Sequence, residues 1–378
     1  MFTQRTTHQI SNHQRTTEKH IEDRDVNMKT LKQHISEGLL QGMDDTLADG
    51  DIVSSELIRS QIDEFMQANY RDPKYRILKK PNKDGKFVVN CQGELRLRII
   101  ATELTNDLFV FGKVKNFTCF DNSNITSLKG APEEVDNLNC AWCYNLRSLE
   151  GCPKVINKCA LFNDSSVESL EGLPKIINGD LELKNTKLKN LIGAPEKVMG
   201  YFMLEGCMQL ESLEGAPKYV GKTFDCSYCI ELKSLEGGPD DTLHYNCDCC
   251  NALTSFKGVA KTIRGSFMGD SCYNLASLDM DKTTIARNFS IDWCKSLTSL
   301  NGSPKSVGDS YSATRCPGLT SLEGVTQNIG RELIVAFNPN LKSIEGCPKK
   351  LKMLDIHGGA MWDERDILAV CDCPNIAI

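Results

Sequence analysis

The chain has 378 residues, of which 40% are hydrophobic and 25% charged, a balance typical of a folded protein with a substantial core. Its net charge of -6 argues against nucleic-acid binding through wholesale neutralisation of phosphates, which requires a strongly basic face. No apolar run approaches the roughly 20 residues of a membrane span, and the first residues lack the apolar core of a secretory signal, so we expect a cytoplasmic protein without membrane contact.

The first quarter of the chain differs in composition from the rest. Residues 1–25 are almost all polar and are predicted to be disordered. Residues 26–107 are predicted to form a small helical and β-hairpin cap. Its helices could cover the first coil of the following repeats, or they could bind a partner or mediate self-association, and the sequence leaves these alternatives open.

Apolar residues at helical spacing predict two amphipathic helices in this cap, around residues 31–39 and 58–65. Ser55 is the predicted N-cap of the second helix, and Asn69 lies near its end. Two alternating segments, residues 75–78 and 87–91, flank a Pro-Asn-Lys-Asp-Gly turn and predict a hairpin.

From residue 108 to residue 356 a phrase close to Ser-Leu-Glu-Gly recurs every 21 or 22 residues. Each unit also contains an apolar-x-apolar pair, which predicts a strand with one buried face. The connection to the next strand is short and rich in Gly and Pro, so it has no room for a crossover helix. We therefore predict a mainly β repeat solenoid, with a parallel sheet of about 11–12 coils and little or no convex helix. Residues 357–378 are predicted to cap the last coil.

The unit Leu-x-Leu-x-x-(Asn or Cys)-x-x-Leu resembles the strand-and-turn pattern of the leucine-rich-repeat family, particularly the short repeats of bacterial and bacteriophage proteins. The resemblance implies that the Asn or Cys side chain points inward and forms hydrogen bonds with backbone groups of the turn. Two features depart from the family pattern: most of these positions hold Cys, and the outer side carries Gly-x-Pro. The implied structural ladder consists of Asn122, Cys143, Asp164, Asn185, Cys207, Cys229, Cys250, Cys272, Cys294, Cys316 and Asn338.

The cysteines also invite a chemical interpretation. Cys226 and Cys229, followed by Cys247 and Cys250, have the spacing of a zinc site. The repeat gives a simpler cause, because the first Cys of each pair occupies the second inward position of a strand and the next occupies the ladder. We predict reduced, structural thiols and no metal or cofactor.

Catalysis is not predicted either. Of the six histidines only His244 lies near the predicted sheet, and an exposed strand residue explains it better than a general base. A thiol- or metal-dependent enzyme is the least favoured class.

Residues that alternate with the inward positions should face out on the concave sheet. They combine carboxylates near the middle with exposed rings, a combination that favours a protein partner with a basic patch. Acids that merely discourage aggregation are the structural alternative. The predicted binding face comprises Trp142, Glu182, Glu205, Asp225, Tyr228, Asp248, Asp270, Asp292, Trp293, Arg315 and Phe337.

The sequence therefore predicts an interaction module that binds, sequesters or scaffolds a macromolecule, such as a phage or bacterial regulator or inhibitor. A structural subunit of a larger assembly is the alternative.

Overall fold

The structure is a computed structural model that describes residues 50–359 and 362–378. The chain divides into two compact units, Met1–Ser60 and Gln61–Ile378. All the described strands belong to the second unit. The polar segment 1–25 and the helix predicted around residues 31–39 lie outside the described residues.

The second unit is a parallel β-solenoid of about 13 turns with very little helix, which confirms the predicted fold class. Equivalent strands of successive coils pair in register, so that Phe267 pairs with Phe289 and Met268 with Ser290. In-register stacking of a 21- or 22-residue repeat buries each apolar residue against its counterparts in the neighbouring coils. The core therefore runs along the axis of the solenoid.

Two helices and 21 strands make up the described part of the chain. The helices are α1 (Gly50–Asn69) and α2 (Glu364–Leu368). The strands are β1 (Tyr70–Arg71), β2 (Arg76–Ile77), β3 (Phe87–Leu97), β4 (Phe109–Thr118), β5 (Glu134–Asn139), β6 (Val155–Leu161), β7 (Ile176–Ile177), β8 (Asp180–Glu182), β9 (Lys197–Val198), β10 (Phe202–Met203), β11 (Tyr219–Asp225), β12 (Asp241–Asn246), β13 (Thr262–Ile263), β14 (Phe267–Met268), β15 (Thr284–Ile285), β16 (Phe289–Ser290), β17 (Ser306–Val307), β18 (Ser310–Ser312), β19 (Glu332–Ile334), β20 (Met353–Asp355) and β21 (Ile376–Ala377).

A buried series of aromatic rings fills the centre of the core. Its members stack from coil to coil with ring centroids between 4.7 Å (Phe289 and Tyr311) and 5.8 Å (Tyr245 and Phe267) apart. Such offset and edge-to-face pairs add about 0.5–1.5 kcal/mol each to the burial of the rings. The buried series comprises Phe202, Phe224, Tyr245, Phe267, Phe289 and Tyr311, all fully buried.

Glycine occupies most of the coil corners. Gly151 has a φ of 85°, and a Cβ there would lie 2.5 Å from the backbone oxygen of Leu128 in the preceding coil. A side chain would therefore be strained and would also separate the two coils.

The described part of the amino-terminal region contains a helix and a hairpin, whose boundaries differ from the predicted ones. Helix α1 already begins at Gly50, so Ser55 lies inside it and is not the N-cap, whereas the helix does end at Asn69. The predicted hairpin is present, with Arg76 of β2 opposite Asn90 of β3. Strand β3 also pairs in parallel with β4, so the winding begins at Phe87, one coil before the predicted boundary at residue 108.

At the carboxy-terminal end, Asp363 caps α2 by accepting the backbone N–H of Arg365 at 2.8 Å. Strand β21 then pairs in parallel with β20 and continues the winding through the predicted cap. In the two described ranges, no helix combines the length and the apolar character needed to cross a membrane.

Candidate partner-binding face

The inward position at the end of each strand holds a buried polar or thiol side chain. The thiols donate to carbonyl oxygens of the preceding coil, as Cys250 does to Cys226 at 3.0 Å and Cys316 to Ile291 at 3.2 Å. Cys226 O also accepts the backbone N–H of Cys229 at 3.4 Å, so there the thiol adds a second donor to a buried carbonyl. Asn122, Cys143, Cys207, Cys229, Cys250, Cys272, Cys294, Cys316 and Asn338 are all buried at this position.

The ladder prediction for Asn185 is wrong by one residue. Asn185 is exposed with a φ of 56°, and the inward residue is Thr186, whose Oγ1 donates to a carbonyl three residues earlier at 2.8 Å. The prediction for Asp164 is wrong in the same way, because Ser165 makes the equivalent contact at 2.6 Å. Asn tolerates the left-handed conformation, whereas the β-branched Thr does not, which explains the order of Asn185 and Thr186.

Asp248, Asp270 and Asp292 form an acidic row on the outer sheet face, the side of the strands that points away from the core. One oxygen of each carboxylate accepts a backbone N–H from the next coil, at 2.8 Å from Asp270, 2.8 Å from Asp292 and 2.7 Å from Thr314 respectively. The acids thus supply acceptors where the strand ladder ends. Among the described residues, no group donates a hydrogen bond to the other oxygen of these three carboxylates.

The remaining predicted acids also have protein partners. Asp225 is buried and accepts both the backbone N–H and the hydroxyl of Ser227, at 2.9 and 2.6 Å. Glu182 accepts an amide hydrogen bond from Asn163 at 2.7 Å. Glu205 lies 2.9 Å from the Nζ of Lys184. Of these three acids only Glu205 pairs with a cation, so Glu182 and Asp225 keep their charge as the acidic row does.

Stacking carboxylates on adjacent coils has an electrostatic cost. Partial burial, together with the nearby charges of Asp270, Asp225 and Asp292, raises the pKa of Asp248 to about 6, although the backbone N–H of Asp270 opposes the shift. Burial and the charge of Asp292 also raise the pKa of Asp270. Like charges on adjacent strands repel each other. The backbone hydrogen bonds of the acidic row offset this repulsion when the carboxylates are ionised.

The predicted aromatic residues occupy one unusual backbone position. Trp142, Tyr228, Trp293 and Phe337 form an aromatic column in which every φ lies between 57° and 63°. Each stands directly before an inward ladder residue, and their side chains are 47%, 50%, 47% and 39% exposed. Four equivalent positions hold Asp121, Asp164, Asn185 and Gly206, the residue types that adopt this conformation most easily, and three others hold Cys249, Ser271 and Arg315.

Arg315 occupies the same position between two of these rings. Its guanidinium carbon lies 4.9 Å from the ring centre of Trp293 and 4.3 Å from that of Phe337, in cation–π contact with both. The ring of Phe337 also meets His357 edge-on, with centroids 4.5 Å apart. The carboxy-terminal coils therefore present an ordered stack of rings and one cation.

The structure adds residues to this face that the sequence reasoning missed. Tyr144 lies 6.2 Å from the ring of Trp142 and is 48% exposed. At the amino-terminal end of the face, Arg71 and Arg96 are exposed and lie directly opposite each other on β1 and β3. A count of the charges in residues 70–100 would have revealed this basic end, but only the antiparallel pairing of β1 joins it to the sheet.

The thiols that resemble a zinc site have structural surroundings. Sγ of Cys226 donates to Asn246 O, and Sγ of Cys229 to Leu204 O, both at 3.4 Å. In the described part of the chain no group of three or more His, Cys, Asp or Glu residues is arranged to hold a metal ion. Burial raises the pKa of Cys226 and of Cys247 well above the ordinary range, which disfavours the reactive thiolate.

Cys207 behaves differently, since a hydrogen bond from Cys229 lowers its pKa against the effect of burial. Among the described residues its Sγ contacts Cys229, Thr186 and Leu183, and no imidazole. His244 lies elsewhere in the sheet, where its Nδ1 accepts the backbone N–H of Ser266 at 3.0 Å.

Comparison with known proteins found no matching family model, no matching curated protein and no matching solved structure.

Proposed function

We propose that this protein is an interaction module that binds a protein partner bearing a basic patch through its outer sheet face. The observation that carries the proposal is the aromatic column. Four exposed rings occupy a left-handed backbone position that four other coils of the same solenoid fill with Asp, Asn or Gly, and three more with Cys, Ser or Arg. We also propose kinship with leucine-rich-repeat proteins, on the strength of the inward polar position at each strand end.

The energetic argument is that these rings are retained at a cost to stability. A bulky residue in the left-handed region costs roughly 1–2 kcal/mol, and Asn, Asp or Gly would avoid part of it. Exposed rings gain little from burial in the free protein. Trp and Tyr are, however, the residues that contribute most to binding when a partner covers them.

The acidic row gives the partner its expected charge. One oxygen of each Asp holds a backbone N–H of the next coil, which fixes the carboxylate without neutralising it. The second oxygen can accept a hydrogen bond from an Arg or Lys of the partner. Charges fixed in this way steer a basic surface towards the rings with little loss of side-chain entropy on binding.

A binding role without catalysis is further supported by the thiols. All 18 cysteines are free, and most are buried as structural groups. So many unpaired thiols are also typical of a reducing compartment, and we propose the cytoplasm of the producing or host cell.

The test replaces the aromatic column with Asn in one variant: Trp142→Asn, Tyr228→Asn, Trp293→Asn and Phe337→Asn. Asn suits the left-handed backbone, so we expect the melting temperature to hold or rise, with about 1 kcal/mol gained per site less any lost ring contact. Affinity capture from the source cell, followed by mass spectrometry, should lose the partner that the wild type retains.

The control is Ile192→Asn, which removes a side chain that is 49% exposed but lies outside the aromatic column. This variant should capture the same partner as the wild type. If the four-site variant is stable and still retains that partner, the proposed face is wrong.

A further inference from the structure

The amino-terminal end of the sheet is strongly basic although the whole chain is acidic. Residues 70–100 contain nine Lys and Arg against three Asp and Glu, a net charge of +6 in a chain of net charge -6. Strand β3 pairs in parallel with β4, so this end belongs to the same continuous sheet as the acidic row. The outer sheet face therefore carries opposite charges at two separate places.

The centre of the basic end is the cross-strand pair of Arg71 and Arg96, which lie directly opposite each other and are both exposed. Like charges in this arrangement destabilise a sheet. Together with Lys74 they line a cavity of about 580 Å³ whose remaining walls are Asp72, Gly93 and Glu94. Among the described residues none of the three cations lies within ion-pair distance of a carboxylate.

Cations elsewhere in the solenoid are treated differently. Many of them pair with a carboxylate of a neighbouring coil, at distances from 2.5 to 3.7 Å: Lys113 with Glu134, Lys129 with Glu150, Arg147 with Glu168, Lys175 with Glu196, Lys184 with Glu205, Lys233 with Glu211 and Lys257 with Glu236. Arg71, Lys74 and Arg96 have no such carboxylate among the described residues, and the like-charged pair of Arg71 and Arg96 indicates a charge that is satisfied from outside the chain.

We propose that the outer sheet face binds a second copy of this chain in antiparallel orientation, with the basic end of each copy on the acidic row of the other. The proposal rests on the proposed function, because it names the partner that supplies the basic patch. The supporting argument is charge complementarity within one face. A two-fold axis parallel to the strands reverses the order of the coils and places each column of side chains opposite itself.

The positions along the sheet agree with such an axis. Eight successive parallel pairings lead from β3 to β14, about 38 Å at ordinary strand spacing. An axis midway, at β8, brings Arg96 of one copy opposite Met268 and beside Asp270 of the other. Arg71, one strand further out, then faces the coil of Asp292.

The same axis matches the neutral part of the face. Leu161 at the end of β6 comes opposite Met203 at the end of β10, and both are half-buried in the single chain. Trp142 comes opposite Tyr228, which joins two members of the aromatic column across the interface. At the axis itself, Lys184 faces its own counterpart with the carboxylates of Glu182 and Glu205 beside it. The face is thus self-complementary in charge, in apolar contact and in its rings.

Other possible partners differ from a second copy of this chain in their charge. A nucleic acid or an anionic membrane would be attracted to the basic end and repelled by the acidic row, and a purely basic protein would leave the basic end unsatisfied. Only a partner that carries both signs satisfies the whole face.

The experiment is sedimentation equilibrium of the full chain, at about 50 mM and at about 500 mM NaCl, because screening weakens contacts between exposed charges. We expect a dimer that dissociates as the salt concentration rises. Arg71→Glu with Arg96→Glu should weaken the dimer at least about tenfold, since the new acids face the acidic row. Asp248→Asn with Asp270→Asn and Asp292→Asn should also weaken it and keeps the backbone acceptors in place.

A rescue variant makes the test specific for the arrangement. Arg96→Glu alone should weaken the dimer, and Met268→Arg added to it should restore the dimer, because the new Arg stands opposite the new Glu. A dimer that ignores these substitutions would place self-association on another surface and overturn the inference.

A chain that stays monomeric at low salt also overturns the inference. If it then binds a single-stranded oligonucleotide of about 20 nucleotides, or phosphatidylserine vesicles, through Arg71 and Arg96, the basic end serves that polyanion. The proposed function fails separately, when the aromatic-column variant still captures a partner other than this chain.

Discussion

The basic end and the acidic row lie on one face but treat their charges in different ways. Each Asp of the row gives one oxygen to a backbone N–H of the next coil, so its charge is also a structural part of the sheet. Arg71 and Arg96 have no such hydrogen bond or ion pair within the described chain, and they repel each other across a strand pair. Polar groups in a repeat sheet can therefore be fixed for stability at one place and held free at another.

The largest difference between the two places should appear on truncation. Asp270→Ala leaves the backbone N–H of Asp292 without an acceptor, and we expect a loss of about 1–3 kcal/mol in the free energy of unfolding. Urea unfolding monitored by circular dichroism measures it.

The matched control is Asp270→Asn, which keeps an acceptor oxygen at the same position and removes only the charge. It should unfold near the wild-type midpoint. Equal losses in the two variants would show that the charge, and not the acceptor, holds the coil.

A pH titration should give the next largest effect. The pKa of Asp248 is about 6 in the folded chain, above the ordinary value of 3.8, so the folded state binds the proton more tightly than the unfolded state. Stability should therefore be greatest below about pH 4 as far as this group is concerned, and should fall as pH rises through 6.

Asp248→Asn removes this titration, and the difference in melting temperature between pH 5 and pH 7 should shrink relative to the wild type. The carboxyl carbon shift of Asp248 measured by NMR gives the pKa directly. A midpoint near 4 would contradict the proposed crowding of the row.

The smallest effect should come from the basic end. Arg71→Ala and Arg96→Ala each remove an exposed side chain from a repulsive pair. We expect the free energy of unfolding to change by less than about 0.5 kcal/mol, and to rise rather than fall. Measured by urea unfolding of the monomer at high salt, a loss above about 1 kcal/mol would show that these cations do have a structural role.

The repeat period accounts for what could be predicted from the sequence. A spacing of 21 or 22 residues fixes which side chains point inward, and Cys229, Cys250 and Cys272 are buried as expected. The period could not resolve neighbours with similar polarity. At Asn185 and Thr186 the order was decided by backbone conformation, which tolerates Asn in the left-handed region and excludes Thr.

Two features of the candidate face could not be predicted from the sequence, because they depend on contacts between residues that are distant in the chain. The hydrogen bond from Asp292 to Asp270 joins residues 22 positions apart and depends on the end of the strand ladder, which no local pattern marks. Arg71 reaches the face through the antiparallel pairing of β1 with β3, which is a tertiary contact. The charge count of residues 70–100 was visible, but its place on the sheet was not.

The short chain separation of the contacts between coils, 22 to 24 residues in the examples that follow, has a consequence for synthesis. The thiol of Cys250 donates back to Cys226, and the N–H of Asp270 donates back to Asp248, so these side-chain contacts of a new coil use groups that precede it in the chain. A coil leaving the ribosome finds these partners already in place. The protein can thus wind up as it is made, with each finished turn serving as the template for the next.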